Sequence, residues 1–357
     1  MWYLQVDGML WIVVCMVEKS GGLTWHGVQE KEDKTSPEER IGSLRMYGSD
    51  SNDQLVHLGS LNGTGVFDAR WSPSASETVL GFAGTDGHLH LYQVECRSSE
   101  GQSIEWKELL DLPLTDDASA MCTTVQWSLS ERLHRLAIGD SGGFAHVVDI
   151  DNTYAKTESL RCSASESECW TVGWSRTDPH VLFAGYDDAS LHQWDIRASL
   201  DVPVISCRAM HEAGIVSLTP LADSISVASG AYDDTIRLWD LRYLKEAVAS
   251  NTFRREEKQG WPRLSREKMN GGVWRIQEHP LHPRLCAVSC MYGGAAIVNI
   301  GTSSIDVQSQ WDIPDSLTYG ISWSPQNSHR LCTCTFYNHQ LQHWHCVEDI
   351  DINPHSM

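Results

Sequence analysis

The sequence predicts an all-β fold, a β-propeller, and three observations lead to that prediction. Strand-like segments with alternating apolar residues recur along the chain, and short acidic turns join them in pairs. Four turn residues, Asp86, Asp140, Asp187 and Asp233, stand 54, 47 and 46 residues apart, which is the spacing of propeller blades with small insertions. The chain has 357 residues, and seven blades of about 40–45 residues would use most of them.

The clearest repeat lies in residues 229–242. There a strand leads into the turn Asp233-Asp234, and the second strand ends in Trp239-Asp240. A strand that ends in Trp-Asp is typical of a WD40 repeat, which forms one propeller blade. A buried Asp in such a turn needs hydrogen-bond partners, and four residues match the set that holds many WD blades together: His211, Ser229, Asp233 and Trp239.

We therefore predict one seven-bladed WD40 β-propeller domain over residues 1–357. Residues 1–48 are expected to form an incomplete first blade, because no opening strand is recognisable there, and residues 1–8 are a candidate for the strand that closes the ring. The clear blades are residues 66–94, 122–150, 169–197, 211–242, 271–299 and 317–345. Residues 243–270, rich in Arg, Lys and Glu, are predicted to be a charged loop between blades.

Composition excludes several classes of protein. The formal net charge of -20 disfavours nucleic acid as a partner, because phosphates need a basic surface, and suits basic or cationic partners. Residues 9–17 are apolar but too short to span a bilayer, so no membrane association is expected. The 11 cysteines are scattered, which favours reduced thiols and a cytoplasmic protein. We expect a monomer.

Three short motifs suggest chemistry, but their contexts favour structural roles. Residues 139–143, Gly-Asp-Ser-Gly-Gly, match esterase and trypsin-like protease patterns, yet they stand in a blade turn rather than between a strand and a helix. The pairs His279/His282 and His343/His345 lack a third ligand in view, so we predict no metal site. The sequence contains no phosphate loop or dinucleotide fingerprint, and no cofactor is expected.

One end of the predicted propeller gathers aromatic and polar side chains, because turns and inner-strand starts meet there. The aromatic residues are Tyr186, Tyr232, Tyr292 and Tyr337 at turns, and Phe67, Trp170, Trp274 and Tyr319 near inner-strand starts. The polar residues are Asp68, Glu168, Asp187, Arg275, Asp315, Ser316 and His339. These side chains either pack between blades and cap turns, or form the aromatic, acidic cavity that a quaternary ammonium ligand requires.

Several segments go beyond generic WD repeats. They are Gly-Gly-Val-Trp-Arg-Ile at 271–276, Pro-Asp-Ser-Leu-Thr-Tyr-Gly at 314–320, and Thr-Phe-Tyr-Asn-His at 335–339, together with residues 185–188, 194–197, 231–234 and 239–240. Over residues 40–346 the chain resembles the WD-repeat diphthine methyl ester hydrolases of diphthamide biosynthesis, a family also called diphthine methyltransferases.

The resemblance implies an activity and a partner. The substrate would be translation elongation factor 2, whose modified histidine carries a trimethylammonium group and a methyl ester, and hydrolysis of the ester would leave diphthine. Such hydrolysis needs water, a base and oxyanion stabilisation. Two alternatives stay open: a non-catalytic WD40 scaffold in the same pathway, and a reader of methylated lysine.

The resemblance leaves the catalytic roles as hypotheses. His339 is the candidate general base, Ser316 the candidate nucleophile with Asp315 orienting a partner, and Arg275 the candidate oxyanion group. The substrate-binding candidates are Trp170, Trp274 and Tyr319 around the trimethylammonium group, with Tyr186, Tyr232, Tyr337 and Asp187.

Overall fold

The structure is a series of antiparallel β-sheets that follow one another in chain order. The computed structural model describes residues 2–6, 9–19, 40–49, 55–73, 78–97, 103–117, 119–129, 134–162, 167–198, 200–207, 211–241, 263–313, 315–324 and 329–346. Within each sheet, consecutive strands pair with each other, and six sheets have four strands while the last has three. The all-β prediction is therefore confirmed. None of the described residues forms a helix long and apolar enough to cross a membrane.

The strands of the first four sheets, innermost strand first, have the following bounds. Sheet 1 contains β1 (Trp2–Val6), β2 (Met9–Lys19), β3 (Arg40–Ser49) and β4 (Leu55–Thr64). Sheet 2 contains β5 (Val66–Trp71), β6 (Val79–Gly84), β7 (His88–Arg97) and β8 (Ser103–Pro113). Sheet 3 contains β9 (Cys122–Trp127), β10 (Arg135–Asp140), β11 (Ala145–Ile150) and β12 (Lys156–Cys162). Sheet 4 contains β13 (Cys169–Trp174), β14 (Val181–Tyr186), β15 (Leu191–Asp195) and β16 (Ile205–Cys207).

The remaining three sheets repeat this order. Sheet 5 contains β17 (Ile215–Pro220), β18 (Ser226–Ala231), β19 (Thr235–Asp240) and β20 (Arg263–Lys268). Sheet 6 contains β21 (Arg275–Glu278), β22 (Leu285–Ser289), β23 (Ala295–Ile300) and β24 (Ile305–Trp311). Sheet 7 contains β25 (Thr318–Trp323), β26 (Arg330–Thr335) and β27 (Leu341–His345).

The core lies between neighbouring sheets. Separate apolar clusters join sheets 1 and 2, 2 and 3, 3 and 4, 4 and 5, 5 and 6, and 6 and 7. A further small cluster joins the last sheet to the first, since Cys332 of β26 packs against Tyr47 and Leu55 of sheet 1. Each sheet thus buries both faces against its neighbours, which is the arrangement of a β-propeller.

The β14 and β18 strands show how this packing shapes the sequence. Residues 182–186 and 226–231 are all buried, because both faces of a second strand contact a neighbouring sheet. Gly230 is required there, since a Cβ atom would come within 2.3 Å of Val273 Cγ1 at the start of the next sheet. The outermost strands differ: β8 alternates between exposed and half-buried residues.

Two predictions about the strands were wrong. Sheet 1 has four strands, with β1 as its first, so the three-stranded sheet is the last one rather than the first. Residues 263–268 of the predicted charged loop form β20, which pairs with β19, while residues 243–262 lie outside the described residues. The predicted blade ranges also omit most outermost strands, β4, β8, β12, β16 and β24, because their half-exposed sequences have little apolar periodicity.

Candidate functional site

A repeated main-chain hydrogen bond brings the turns and the inner-strand starts to one end of the sheets. In each case the amide of a turn residue donates to a carbonyl just before an inner strand. The pairs are Thr85 to Gly65, Asp187 to Glu168, Tyr232 to Gly214 and Phe336 to Leu317, at 2.8–3.1 Å. This end, the mouth, is where the sequence analysis placed the candidate site.

A continuous run of aromatic rings crosses the mouth. We name this run of rings the aromatic crescent. Its members come from sheets 2, 4, 6 and 7, in the order Phe67, Trp170, Trp274, Tyr319 and Phe336. Successive ring centroids are 6.3, 6.4, 4.6 and 5.7 Å apart. The Tyr232 ring lies 6.0 Å from the Trp274 ring. The structure therefore brings together four of the predicted substrate-binding rings.

A carboxylate accompanies the crescent. The indole Nε1–H of Trp170 donates to Asp187 Oδ1 at 3.0 Å, and Asp187 is exposed. The negative charge of the Asp187 carboxylate beside the indole N–H favours a cation placed over the rings, and so do the negative faces of the rings themselves. Burial raises the pKa of Tyr319 to about 12, with the nearby Tyr337 and Tyr292 phenols acting in the same direction, so Tyr319 is neutral near neutral pH.

A buried ion cluster lies next to the crescent along the inner strands. Asp68 follows Phe67 on β5, and its Oδ1 accepts from the Arg275 guanidinium at 3.1 Å, while Arg70 stands 3.6 Å from its Oδ2. Asp68 also accepts from Thr124 Oγ1 and Val125 N–H. Burial alone would raise the pKa of the Asp68 carboxyl, but Arg70, Arg275 and the Val125 amide outweigh it, so the pKa is lowered.

Phe67, Trp170 and Trp274 of the crescent line one central cavity of about 200 Å³ together with the ion cluster. The cavity continues past Gln126 and Gln277 to Arg176 and Glu278, which form an ion pair at 2.8 Å. Glu278 occupies the inner-strand position where other sheets have the repeat Trp, and its oxygens also accept from the amides of Ala222 and Arg284. The cavity therefore combines aromatic faces at the mouth with paired charges deeper in.

The placement of Tyr186 at the mouth was wrong. Tyr186 is the last residue of β14 and is fully buried, where it packs in the core between sheets 3 and 4. Burial raises the pKa of its phenol. Tyr232, by contrast, is the first residue after β18, and because strand side chains alternate, a shift of one residue turns the ring to a different side.

The predicted role of Ser316 as an accessible nucleophile does not fit its position. The Ser316 side chain is buried, and its Oγ accepts the Tyr337 amide at 2.9 Å, so it holds the β26–β27 turn. Asp315 and His339 are exposed and have positive φ angles of 62° and 51°. They lie beside opposite ends of the Phe336–Leu317 hydrogen bond, on the rim of the mouth.

Tyr337 extends the aromatic surface outwards. Its ring lies 5.2 Å from Phe336, and its pKa is raised by a hydrogen bond with the phenol of Tyr292. Tyr292 and Tyr337 are 69% and 45% exposed, so these two rings cover the outer edge of the crescent rather than its buried part.

Two of the short motifs make the structural contacts that the sequence predicts. Ser141 lies in the β10–β11 turn, where its Oγ accepts the Met121 amide, and Asp140 accepts from Phe144 N–H and pairs with His146. His279 is buried, and its Nδ1 accepts the amides of Leu281 and His282. The nine cysteines whose side chains the structure describes are all free.

Sequence reasoning missed two features of the site. Phe336 was not selected, although it is the first residue after β26 just as Tyr232 is the first after β18. Counting from the strand end rather than grouping tyrosines would have found it. The pairing of Asp68 with Arg275 joins residues 207 positions apart, and no local pattern indicates such a contact.

Comparison with known proteins gives curated relatives over most of the chain. The chain is 31% identical to diphthine methyltransferase of Saccharomyces cerevisiae, covering 85% of this chain and 88% of that relative. It is 27% identical to human diphthine methyltransferase over 84% of this chain, and the match spans only 64% of the human protein. A Dictyostelium discoideum diphthine methyltransferase homolog is 24% identical over 79% of this chain. No family model matches the chain.

Solved structures are similar in fold. A chain of the crystal structure of the mitotic checkpoint complex has a TM-score of 0.62 at 16% identity, covering 92% of this chain and 99% of that one. Chaetomium thermophilum Sqt1 bound to the N-terminus of the ribosomal protein L10 has a TM-score of 0.59 at 16% identity, covering 86% and 81%. At these identities the likeness shows the WD40 propeller fold alone.

Proposed function

Because the chain belongs to the diphthine methyltransferase family, we propose that it acts in diphthamide biosynthesis as a carboxyl methylesterase. Its substrate would be diphthine methyl ester on translation elongation factor 2, and its product diphthine. One observation of the site carries this proposal: the aromatic crescent with Asp187 on the Trp170 indole. A trimethylammonium group is the cation that such rings and a carboxylate bind well.

The chemistry divides between the two parts of the cavity. With the trimethylammonium group on the rings of Trp170, Trp274 and Tyr319, the ester would lie towards Arg275, the residue after Trp274. Water adds to the ester carbonyl carbon, a base takes its proton, and the guanidinium stabilises the oxyanion that develops. Collapse of the tetrahedral intermediate breaks the bond between the carbonyl carbon and the methoxy oxygen, and the base returns its proton to that oxygen, so methanol leaves.

The base remains a prediction. His339 stays our candidate, because its exposed imidazole stands on the rim of the mouth, where it can exchange a proton with water. Asp68 is a poorer candidate, because its pKa is lowered and its oxygens already accept from Arg275, Thr124 and Val125.

The proposal is tested with purified full-length protein and elongation factor 2 that carries diphthine methyl ester. Mass spectrometry of the modified peptide, with a methanol assay, follows the reaction. We expect multiple turnovers in which each peptide loses the mass of one methylene unit and one methanol appears. A gain of that mass in the presence of a methyl donor would instead indicate methyl transfer and would refute ester hydrolysis.

Variants separate the parts of the mechanism. His339→Ala should abolish turnover while the protein stays folded, and His345→Ala, another exposed histidine of sheet 7, should not. Full activity of His339→Ala would remove His339 from the mechanism. Binding of elongation factor 2 without hydrolysis by wild-type protein would favour the non-catalytic scaffold, and equal binding of a trimethyl-lysine peptide would favour the methyl-lysine reader.

We also propose that the seven sheets form a closed ring of seven blades. Support comes from the contact of Cys332 with Tyr47 and Leu55, which joins sheet 7 to sheet 1. A cytoplasmic location and a monomeric state stay predictions from the sequence.

A further inference from the structure

A cluster of histidine and aspartate side chains stands apart from the mouth cavity, on the outer strands of sheet 2. One ligand atom each of Asp86, His88 and His90 lies within 4.8 Å of the other two. Asp111 of β8 adds a fourth group, because its Oδ1 is 2.6 Å from His88 Nδ1 and 3.6 Å from His90 Nδ1. Asp86 faces Nε2 of the His90 ring at 3.0 Å and Asp111 faces its Nδ1, so two carboxylates flank the two imidazoles.

The strand register explains the cluster. His88 and His90 are two residues apart on β7, so both side chains point to one face of the sheet. Asp111 lies directly opposite His90 in the β7–β8 pairing, and Asp86 stands in the β6–β7 turn, where its Oδ1 accepts the His88 amide at 3.1 Å. The β6–β7 turn, β7 and β8 thus place their side chains around the His90 ring.

Other sheets provide a comparison that isolates what is special here. In sheet 3 the turn Asp140 pairs with His146 at 2.7 Å, and both side chains are almost completely buried. In sheet 5 the turn Asp233 pairs with His211, also buried. These two buried pairs connect residues within their own sheets and have a structural role there. Only the Asp86–His90 pair, among these three, has a second imidazole and a second carboxylate beside it, and it is open to solvent through His88 and Asp111, which are 32% and 46% exposed.

We propose that Asp86, His88, His90 and Asp111 form a binding site for a divalent transition-metal ion of the Zn²⁺ type. Imidazole nitrogen and carboxylate oxygen are ligands that Zn²⁺ accepts in a tetrahedral arrangement, at about 2.0–2.2 Å. Such ligand atoms lie roughly 3–4 Å from one another, so the proposed site requires the exposed His88 and Asp111 side chains to rotate towards Asp86 when the metal binds.

The surroundings hold part of the site in place before a metal binds. The His90 ring is nearly buried and stacks on Phe82 at 4.6 Å, and the His88 ring stacks on His90 at 5.8 Å. The amide of His88 fixes the Asp86 carboxylate.

A metal at this position would join the β6–β7 turn to the outermost strand β8. The charges balance, since two carboxylates neutralise a divalent ion. Bound metal would stabilise the folded protein in proportion to the logarithm of its concentration, because the unfolded chain does not hold the four groups together.

The test uses full-length protein stripped with a chelator and then titrated with Zn²⁺ alone, followed by isothermal calorimetry and by metal analysis after equilibrium dialysis. We expect the wild-type protein to bind one Zn²⁺ per chain at this site. We expect that ion to be lost in His88→Asn and in Asp111→Asn, both of which change exposed side chains. The matched control is His180→Asn, because His180 pairs with Asp178 at 3.2 Å with similar exposure but has no second imidazole in the described pair. It should bind as wild type does.

X-ray absorption of the zinc-loaded protein separates this site from the cysteines. We expect a first shell of nitrogen and oxygen with two imidazoles and no sulphur. Unchanged stoichiometry in both His88→Asn and Asp111→Asn, or sulphur in the first shell, would overturn the proposal. The proposal would also be overturned if the wild-type protein bound no Zn²⁺ when the Zn²⁺ concentration was raised to the concentration of the protein.

Discussion

Asp187 shows at the residue scale how one carboxylate can tune an aromatic surface. Its Oδ1 accepts the Trp170 indole proton at 3.0 Å, so Asp187→Asn keeps the shape while it removes the charge. An exposed contact between opposite charges contributes about 0.2–1 kcal/mol, so its loss corresponds to a rise in KM of about 1.4- to five-fold. We expect kcat to change little, because Asp187 touches the binding group and not the ester. Steady-state kinetics with modified elongation factor 2 measures both constants.

The control for this prediction is Asp306→Asn. Asp306 is exposed on the outermost strand of sheet 6, so the substitution makes the same change in net charge away from the mouth. An equal rise in KM for Asp306→Asn would mean that the effect is general electrostatic attraction. A fall in kcat at unchanged KM for Asp187→Asn would contradict a binding role.

Single-residue shifts also decide what could be predicted at this scale. Trp170, Trp274, Tyr319 and Tyr232 were found from the sequence, because each stands at a strand end that the repeat pattern marks. Tyr186 was misplaced because it stands eight residues before its Trp-Asp tryptophan, Trp194, whereas Tyr232 stands seven before Trp239. Alternation along a strand makes that one residue the difference between core and mouth.

The β18–β19 hairpin of sheet 5 shows how a blade is held together at the element scale. His211 Nε2 lies 2.7 Å from Ser229 Oγ, and its Nδ1 lies 3.1 Å from Asp233. The Trp239 indole also donates to Ser229 Oγ at 2.7 Å. The predicted hydrogen-bonding set is thus confirmed, and it links a residue before the inner strand to both strands of the hairpin.

This network predicts a pH dependence of stability. Burial lowers the pKa of His211 from its ordinary 6.5, an effect that Asp233 only partly offsets. Below pH 6.5 the unfolded chain binds a proton at this residue that the folded chain does not, so the free energy of unfolding falls as the pH drops. One such group contributes up to about 1.4 kcal/mol per pH unit. Urea unfolding between pH 8 and pH 5 should show a shallower loss in His211→Gln than in wild type.

The exposed His180 supplies the comparison for this prediction. His180→Gln makes the same substitution at a histidine that is 34% exposed, so it separates the loss of the buried His211 from the loss of a histidine in general. Parallel curves for His211→Gln and wild type would show that the folded protein protonates His211 as readily as the unfolded chain does, against the prediction.

Outer strands mark the limit of prediction at the element scale. Inner and middle strands are buried on both faces and have strong apolar patterns, as in β10 and β14. β12, with exposed residues at most of its positions, and β20, in a charged segment, carry no such pattern. The positions of these outermost strands are set by their hydrogen-bonded pairing with the preceding strand. That pairing cannot be recognised from a single sequence.

The sheets act as one body through contacts that join distant parts of the ring. Neighbouring sheets share apolar clusters, but Asp68 of sheet 2 and Arg275 of sheet 6 are not neighbours, and their ion pair crosses the central cavity. Such a contact arises only once the sheets curve round, so it belongs to the folded ring and to no single repeat. Sequence analysis found both residues at the mouth, but not their partnership.

This pair leads to a prediction about the stability of the whole molecule. Asp68 is almost fully buried and Arg275 is 16% exposed, so removing one partner leaves a buried charge poorly compensated. Asp68→Asn should lower the free energy of unfolding by about 3–5 kcal/mol, and Arg275→Gln should lower it as well. Because Asp68 also accepts from Thr124 and Val125, a single variant does not isolate the pair. The double variant Asp68→Asn/Arg275→Gln completes a double-mutant cycle, which gives the interaction energy of the two side chains. We expect this coupling energy to be about 1–3 kcal/mol.

The reference for this coupling is Asp195 with Arg197, an ion pair at 2.8 Å within sheet 4 whose arginine is 53% exposed. Its coupling should be at most about 1 kcal/mol, because water screens it. Urea unfolding monitored by circular dichroism and tryptophan fluorescence would give both cycles. Because the pair across the cavity stabilises the whole ring, we expect the Asp68→Asn protein to unfold in one transition by both probes. The midpoint of that transition should lie at a lower urea concentration than in wild type. A coupling near zero between Asp68 and Arg275 would mean that Arg70 and the Val125 amide hold the carboxylate without help from sheet 6, and the ring would then depend on its sheet-to-sheet clusters alone.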